Sequence, residues 1–207
     1  DDILLNMKNK PLFSIVVPVY NTPINLLDEL IQSVKNQWYQ NWELILVDDC
    51  SPNQDLRNKL YDITDSQIKV VFLEKNSGIS EATNAGIDIS RGEYIVFADH
   101  DDLITVDCLY ELALCINQDD PDMIYSDEDK IDERSRCYSQ PHFKPDWSPD
   151  TLMSLAYICH ITCIRKTILS KTGLLNKEVD GAQDWDLTLR VSEVTQKIKH
   201  IPKVLYH

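Results

Sequence analysis

Glycine is scarce in this chain, and the few glycines do not form either common phosphate-binding motif. The 207 residues include 5 glycines, at positions 78, 86, 92, 173 and 181. Their spacing matches neither GxGxxG nor GxxxxGK[ST], the patterns that bring backbone N–H groups onto phosphates. A nucleotide bound here is therefore not held by a dinucleotide-binding fingerprint or by a P-loop.

Positive charge is also in short supply. Lys and Arg together number 20 against 34 Asp and Glu, which gives a formal net charge of −14. A phosphate backbone is bound mainly through basic side chains, so this balance argues against a nucleic-acid partner. The length and the 43% of hydrophobic residues suit the core of one ordinary domain.

Paired cysteines and long apolar runs are missing as well. The six cysteines form no CxxC pair and lie mostly in apolar runs, which is typical of a reduced protein. No run approaches the roughly 20 apolar residues of a membrane span, and the opening DDILLNMKNK is not a signal peptide. We therefore expect a cytoplasmic protein without a transmembrane segment. The first residue is not Met, so we also expect one module of a longer polypeptide.

What is present is a regular alternation of apolar and helix-period runs. Near-continuous apolar stretches at 12–20, 42–48, 69–73 and 93–99 predict buried parallel strands. Helices are predicted between them, the first capped by Thr22 with Pro23 in its first turn, and the third ending at a cap by Gly92. This pattern predicts one α/β domain, with a mostly parallel sheet and helices on both faces.

The regular alternation of strands and helices changes after residue 99. A helix is predicted over 106–117 and a short strand over 123–126, followed by an irregular acidic segment through 149. Further strands are predicted at 158–164 and 198–207, with a helix from about Asp184. We divide the chain into an extension (1–11) and one domain (12–207), whose halves are 12–102 and 103–207.

Polar residues follow each strand of the first half, at the edge where open α/β sheets bind ligands. They are Tyr20-Asn21, Asp48-Asp49, Glu74-Lys75-Asn76 and Asp99-His100-Asp101-Asp102. The last group could hold Mg²⁺ or Mn²⁺, or it could be a solvated acidic turn. An EF-hand is excluded, because Ile104 stands where the loop needs Gly and Tyr110 where it needs Glu.

Two further acidic side chains, Asp184 and Asp186, open the predicted C-terminal helix. An acidic helix start is common because of the helix dipole, but a carboxylate beside Trp185 could also act as a general base. The last residue, His207, is a candidate metal ligand. The other histidines of this half (His142, His160 and His200) are interpreted as forming core or surface hydrogen bonds.

Taken in order, several stretches resemble the family 2 inverting glycosyltransferases of the GT-A fold. They are SIVVPVYN (14–21), SVKNQWYQNWELILVDDCSPN (33–53), NSGISEATNAGI (76–87), GEYIVFADHDD (92–102), GAQDWDLTLR (181–190) and HIPKVLYH (200–207). Three more resemble a subgroup that builds bacterial surface polysaccharides and protein-linked glycans: YSDEDKID (125–132), PHFKPDWSPDTL (141–152) and YICHIT (157–162).

The resemblance implies a role for each matching residue. It implies a nucleotide pocket formed by Pro18, Tyr20, Asn21, Asp49, Asn76, Gly78, Asp99, His100 and Asp101. It implies a Mn²⁺ or Mg²⁺ site formed by Asp99, Asp101 and His207. Asp184 matches the catalytic base, with Trp185 and Asp186 beside the acceptor. Gln183 stands where the family often has Glu, and Thr83 where it often has Arg.

The implied reaction is a single inverting displacement. Asp184 would deprotonate a hydroxyl of a lipid-linked or protein-linked glycan, which attacks a UDP-hexose or UDP-N-acetylhexosamine. Membrane proximity at the cytoplasmic face and oligomerisation stay open. Two alternatives are a nucleotidyltransferase, disfavoured by the lack of a basic Gly-rich loop in SIVVPVYN, and a non-catalytic module that binds glycan or nucleotide.

Overall fold

Eight strands form one continuous mixed sheet within residues 6–132 and 136–207, the part of the chain that the computed structural model describes. The strands are β1 (Phe13–Val19), β2 (Trp42–Asp48), β3 (Ile68–Phe72), β4 (Tyr94–Phe97), β5 (Met123–Ile131), β6 (Tyr138–His142), β7 (Thr162–Arg165) and β8 (Ile198–Tyr206). Their order is β3-β2-β1-β4-β7-β5-β6, and β8 pairs with β5.

Both parallel and antiparallel pairings occur in this sheet. Strands β3, β2, β1 and β4 are mutually parallel, as is the pair β5 and β8. Strand β7 runs antiparallel to β4 and β5, and β6 runs antiparallel to β5. The four parallel strands of the first half are those that the apolar runs predict.

Seven helices flank the sheet in the described residues. They are α1 (Ile24–Lys35), α2 (Gln54–Tyr61), α3 (Ile79–Ile89), α4 (Cys108–Asp119), α5 (Pro149–Leu152), α6 (Lys166–Thr172) and α7 (Gln183–Val194), with a 3-10 turn at Lys177–Val179. None is long and apolar enough to cross a bilayer. Residues 1–5 of the predicted extension lie outside the described residues, whereas Asn9 exchanges two hydrogen bonds with Asn117 of α4.

Successive residues of β1 face two separate cores, one on each side of the sheet. Ile15 packs with Leu27 of α1 and Leu109 of α4, while Val16 packs with Ala82 of α3 and Leu187 of α7. Because side chains alternate across a strand, a sheet covered on both faces needs an apolar residue at nearly every position. This explains why the strand sequences are almost continuously hydrophobic.

The predicted helix caps of the first half are wrong. Pro23 itself occupies the N-cap of α1, and the buried Thr22 hydroxyl has no partner among the described residues. Helix α3 ends at Ile89, before Gly92. A Cβ atom at Gly92 would lie 2.6 Å from the backbone nitrogen of Ser14, so this glycine permits close approach to β1.

The second half also differs from the sequence prediction. Strand β5 extends past residue 126 to Ile131, and β6 lies in the segment predicted to be irregular. The sequence of β6, YSQPH, is polar and mostly exposed, so no apolar alternation reveals it. The predicted strand at 158–164 begins at Thr162, because Cys159 turns the chain with φ of 43°. Helices α5 and α6 were not predicted.

Candidate active site

The adjacent carboxyl ends of β1, β2 and β4 border a cavity of about 330 Å³, which we call the Asp49 cavity. Eight of the nine residues predicted to bind nucleotide line it: Pro18, Tyr20, Asp49, Asn76, Gly78, Asp99, His100 and Asp101. They come from four separate stretches of the sequence. The parallel pairing of the first strands brings these stretches together at one edge of the sheet.

Asn21, the ninth residue, does not line this cavity. Its φ of 52° is in the left-handed region, and its N–H donates to the hydroxyl of Ser51 at 2.8 Å. Cys50, after β2, is also left-handed, with φ of 59°. Asn21 thus joins the turns that follow β1 and β2, and Asn is among the residues that best tolerate this conformation.

The carboxylate of Asp49 organises the loop that precedes α3. Asp49 is 4% exposed, and its two oxygens accept N–H bonds from Ser77 at 2.7 Å and Gly78 at 2.9 Å. Each carboxylate oxygen has a second lone pair, so the group can accept a further hydrogen bond from a ligand. Gly78 has φ of 93°, and a Cβ atom there would lie 2.6 Å from an oxygen of Asp180.

A second cavity, the Asp184 cavity, adjoins the first. Pro18, Ile79 and Asp99 line both cavities, whereas Asp184 and His160 line only the second of them. Asp184 is exposed at the start of α7, and its Oδ1 accepts the N–H of Trp185 at 2.8 Å. Its Oδ2 has no hydrogen-bond partner among the described residues, so the carboxylate can accept a proton from a bound hydroxyl group.

Asp99 lies where the two cavities meet, held by two residues that are distant in sequence. His160 Nε2 lies 3.1 Å from Asp99 Oδ2, and the N–H of Asp99 donates to the Tyr206 hydroxyl at 2.9 Å. The rings of His160 and Tyr206 stack with centroids 4.8 Å apart. Burial acts to raise the pKa of Asp99, but the His160 hydrogen bond and the charges of His160 and His100 together outweigh it, and the pKa is lowered.

The acidic turn also borders a third concavity, the His207 cleft. Asp101, Asp102, Asp129 and His207 all line this cleft, and Asp101 lines the Asp49 cavity too. His207 Nδ1 lies 2.5 Å from Asp129 Oδ1. Burial first, and then the charges of Asp99 and Asp101, raise the pKa of Asp102. The turn therefore concentrates negative charge that a cation would relieve.

This donor set fits a cation shared with a ligand rather than one enclosed by protein. In residues 6–132 and 136–207, no three or more His, Cys, Asp or Glu side chains form a ready metal site. Mg²⁺ is commonly held by only one or two carboxylates together with substrate phosphates. Asp101 suits that role, since its side chain is 50% exposed and borders both the Asp49 cavity and the His207 cleft.

Trp185 and Asp186, predicted beside an acceptor, line none of these three cavities. The Trp185 indole donates to the Leu152 carbonyl at 2.8 Å. Asp186 pairs with Arg190 at 2.6 Å, and Arg190 also donates to the Thr172 carbonyl at 2.8 Å. Both side chains thus anchor α7, and only Asp184 of this tripeptide opens into the cavity.

Thr83 and Gln183, the two residues that differ from the family pattern, form hydrogen bonds with nearby residues. Thr83 lines the Asp184 cavity, and its hydroxyl donates to the Ile79 carbonyl at 2.8 Å. Gln183 accepts the N–H of Gly181 at 2.6 Å. Neither supplies the charge of the Arg or Glu that stands there in the pattern. The structure also places His160 in the site, a position that sequence reasoning assigned to ordinary hydrogen bonding.

Residues 14–173, most of the chain, match the family model described as glycosyl transferase family 2. The chain belongs to glycosyl transferase family 2. The match includes the strands and loops that form the Asp49 cavity, and it ends before the helix that carries Asp184.

Relatives of this family 2 domain are longer than the chain itself. It is 43% identical to an uncharacterised protein of Sinorhizobium fredii, across 99% of the chain and 23% of that protein. It is 37% identical to the O-antigen biosynthesis protein RfbC of Myxococcus xanthus, across 100% of the chain and 16% of that protein. The chain therefore spans less than a quarter of either relative.

Solved structures match the same fold. TarS of S. aureus in complex with UDP superimposes with a TM-score of 0.78 at 25% identity, covering 94% of this chain and 59% of that one. Its complex with UDP-GlcNAc gives a TM-score of 0.77 at 25% identity, covering 94% of this chain and 57% of that one. This likeness confirms the predicted GT-A fold class and the family resemblance.

Proposed function

We propose that this chain transfers a sugar from a UDP-sugar to a hydroxyl group of a growing glycan. One observation carries the proposal: Asp99 borders both the Asp49 cavity and the Asp184 cavity. A nucleotide in the first cavity would thus present its sugar to the carboxylate in the second. The UDP complexes of TarS, a protein of the same fold, support this choice of donor.

The nucleotide half comprises residues 12–102. Tyr20, which is 48% exposed at the cavity mouth, offers a ring face to the base. Asp49 accepts an N–H of uracil with a remaining lone pair, and Asn76 and Gly78 border the same space. His100 and Asp99 lie on the ribose and sugar side.

Asp101 is the main protein ligand that we propose for a divalent cation, Mn²⁺ or Mg²⁺. Asp99 borders the same cavity as Asp101. His207 lines the His207 cleft, which Asp101 also lines, so both residues could contribute to the cation site. When bound, such a cation neutralises charge that develops on the departing diphosphate. The family resemblance implies all three of these ligands. Of the three, the exposed Asp101 is the one best placed to share a cation with a phosphate group.

Asp184 is the general base of the proposed reaction. It takes the proton of the acceptor hydroxyl, whose oxygen then bonds to the anomeric carbon as the bond to the diphosphate breaks. A single displacement of this kind inverts the anomeric centre. We assign Trp185 and Asp186 to holding α7, so that residues 103–207 form the acceptor side around Asp184 alone.

We propose that the acceptor is a lipid-linked or protein-linked glycan that grows during surface polysaccharide assembly. A named relative, the RfbC protein, is an O-antigen biosynthesis protein. A donor carrying a hexose or N-acetylhexosamine agrees with the UDP-GlcNAc complex of TarS. The acidic net charge gives no electrostatic attraction to an anionic membrane surface, so we propose that the domain acts from the cytoplasm.

Calorimetric titration of UDP, with and without Mn²⁺, tests donor and metal together. We expect Mn²⁺ to tighten UDP binding by about tenfold or more, because a cation held by Asp101 would offset the negative charge of the diphosphate. Asp101→Ala should lose this enhancement. Asp88→Ala, which removes an exposed carboxylate from α3, is the matched control and should retain it. Metal-dependent binding by Asp101→Ala would refute the ligand assignment, and no UDP binding by the wild type would refute the donor.

A further inference from the structure

The Lys144 side chain is fully buried, with an exposure of 0%. Its ammonium group donates to Glu128 Oε2 at 3.0 Å and to the backbone carbonyls of Ile158 and His160. A buried ammonium is destabilising unless it is paired and hydrogen-bonded. Here all three of its N–H donors have a partner, and two of those partners belong to one short segment, 158–160.

Glu128 also binds segment 158–160, through the backbone N–H of His160 rather than through a carbonyl. Its Oε2 accepts the backbone N–H of His160 at 3.0 Å while also facing the Lys144 ammonium. The N–H of His160 is therefore fixed by Glu128 and its carbonyl by Lys144. This arrangement sets the position from which the His160 ring reaches Asp99.

The held segment has a backbone conformation that needs support. Cys159 has φ of 43°, in the left-handed region that non-glycine residues seldom occupy. Such conformations persist when the surroundings over-determine them. The Thr162 hydroxyl, which donates to the Cys159 carbonyl at 2.7 Å, adds a further restraint.

His160 lies at a junction of the proposed site. It lines the Asp184 cavity on one side and the His207 cleft on the other, and its ring contacts Asp99. A shift of this ring would move Asp99 at the point where the donor sugar and the general base meet. The Asp49 cavity, in contrast, is lined by other stretches of the chain and includes neither Lys144 nor Glu128.

We propose that Lys144 is a positioning residue for the transfer reaction. Together with Glu128 it holds segment 158–160, so that His160 keeps Asp99 in place between the two cavities. The three sequence stretches YSDEDKID, PHFKPDWSPDTL and YICHIT supply Glu128, Lys144 and His160 respectively, which gives these stretches one shared task. The catalytic consequence rests on the proposed function, whereas the placement of His160 can be measured without it.

The catalytic test compares Lys144→Met with the wild type. We use hydrolysis of whichever of UDP-glucose, UDP-galactose and UDP-N-acetylglucosamine the wild type turns over fastest. We expect kcat to fall about 10- to 100-fold, as misplacement near a reacting centre commonly does. The Kd for UDP should change less than about threefold, because the hydrogen-bond partners of Lys144 lie outside the Asp49 cavity and, of its lining residues, only Asp99 is held by His160. A kcat within about twofold of the wild type would overturn the proposal.

Glu43→Gln is the control for a loss of stability alone. Glu43 is 1% exposed and pairs with Lys69 at 3.0 Å and Arg91 at 2.9 Å, at the opposite edge of the sheet. All assays are run well below the measured Tm of each variant. If Glu43→Gln loses as much kcat as Lys144→Met for the same fall in Tm, Lys144 is structural only and the proposal fails.

Imidazole ¹⁵N NMR tests the placement of His160 independently of activity. The His160 signals, assigned by their loss in His160→Gln, should move in Lys144→Met because the bond to Asp99 is released. Glu128→Gln is the second variant, since its amide oxygen still accepts from His160 and Lys144; it should move them less. Unchanged His160 signals in folded Lys144→Met would overturn the placement. Failure of the wild type to bind UDP would instead refute the proposed function.

Discussion

At the scale of single residues, neighbouring side chains at the start of α7 have different roles. Asp184 opens into a cavity, whereas Trp185 and Asp186 are bonded to α5 and to Arg190. Successive residues of an α-helix point about 100° apart, so three adjacent side chains cannot share one direction. A motif therefore identifies the helix start more reliably than it assigns a role to each of its members.

Removal of the general base should stop the reaction but spare nucleotide binding. We expect Asp184→Asn to lower the transfer rate by about 10² to 10⁴, because the acceptor hydroxyl keeps its proton. The Kd for UDP should stay unchanged, since Asp184 does not line the Asp49 cavity. Rates by product chromatography and affinities by calorimetry check both statements.

The matched control is Asp186→Asn, two residues further along α7. It breaks the ion pair with Arg190 and should lower Tm while leaving substantial transfer activity. Wild-type turnover by Asp184→Asn would show that another group accepts the proton. Equal losses in the two variants would show that anchoring of α7, rather than base catalysis, limits the rate.

Most of the residues that line the Asp49 cavity could be brought together from sequence, and the place of His160 could not. Asp49 and Asp99 directly follow strands, so the general rule for parallel sheets locates them. The partner of His160 is Asp99, 61 residues away, and the two meet only through the pairing of β7 with β4. No local pattern in YICHIT carries that information.

At the scale of elements, α3 lies unusually close to the sheet. A Cβ atom at Gly86 would lie 2.5 Å from Val16 Cγ1 and 3.1 Å from Val47 Cγ2. Distances this short force the neighbouring branched side chains, or the helix, to move. Gly86 is therefore a contact residue between α3 and strands β1 and β2.

Substitution of Gly86 by Ala should destabilise the fold despite the better helix propensity of alanine. We expect the free energy of unfolding to fall by up to about 2 kcal/mol, because overpacking commonly costs about 1–3 kcal/mol and the helix propensity of alanine recovers only about 1 kcal/mol. Urea denaturation measures the change. Asp88→Ala, an exposed position of the same helix, should differ little from the wild type. A more stable Gly86→Ala protein would contradict the close packing.

Strand β6 and the helix caps show where element prediction failed. Core strands are apolar on both faces and are evident in the sequence, but β6 is a polar strand that, among the described residues, pairs only with β5. The N-cap of α1 is Pro23 rather than the hydroxyl residue before it. Both features depend on what the element packs against, which local composition does not record.

At the scale of the whole molecule, Glu43 of β2 links Ser14 of β1 with Arg91, at the edge of the sheet opposite the site. Its carboxylate accepts from the Ser14 hydroxyl at 2.7 Å and from the Arg91 N–H at 2.6 Å. Burial acts to raise its pKa, but these bonds and the one from Lys69 outweigh it and lower the pKa to about 2. The ionised form is therefore favoured in the folded protein.

This pKa predicts a loss of stability in acid. A depressed pKa stabilises the fold above the ordinary value of 4.5, and the contribution disappears as the pH falls towards about 2. Thermal unfolding between pH 6 and pH 3 should show Tm decreasing. Glu43→Gln should have a lower Tm at pH 6 and a shallower slope, because its amide does not titrate. Parallel curves for the two proteins would refute the assignment.

The fold class was predictable because alternating strands and helices leave few ways to cover a sheet. The order of the second half was not. Strand β7 inserts between β4 and β5, and β8 returns to pair with β5, so neighbours in space are far apart in sequence. Such pairings are specified by the packing of the complete molecule.

The placement of Tyr206 has a consequence for biosynthesis. Its hydroxyl accepts the N–H of Asp99, and its ring supports His160, although 107 residues separate it from Asp99. A ribosome completes the strands of the Asp49 cavity long before it reaches residue 206. A nascent chain can therefore acquire most of its sheet early, yet the turn with Asp99 gains this support only after β8 emerges. Competence for the proposed transfer is thus expected to arise only after β8 has been synthesised, in a step separate from formation of the Asp49 cavity.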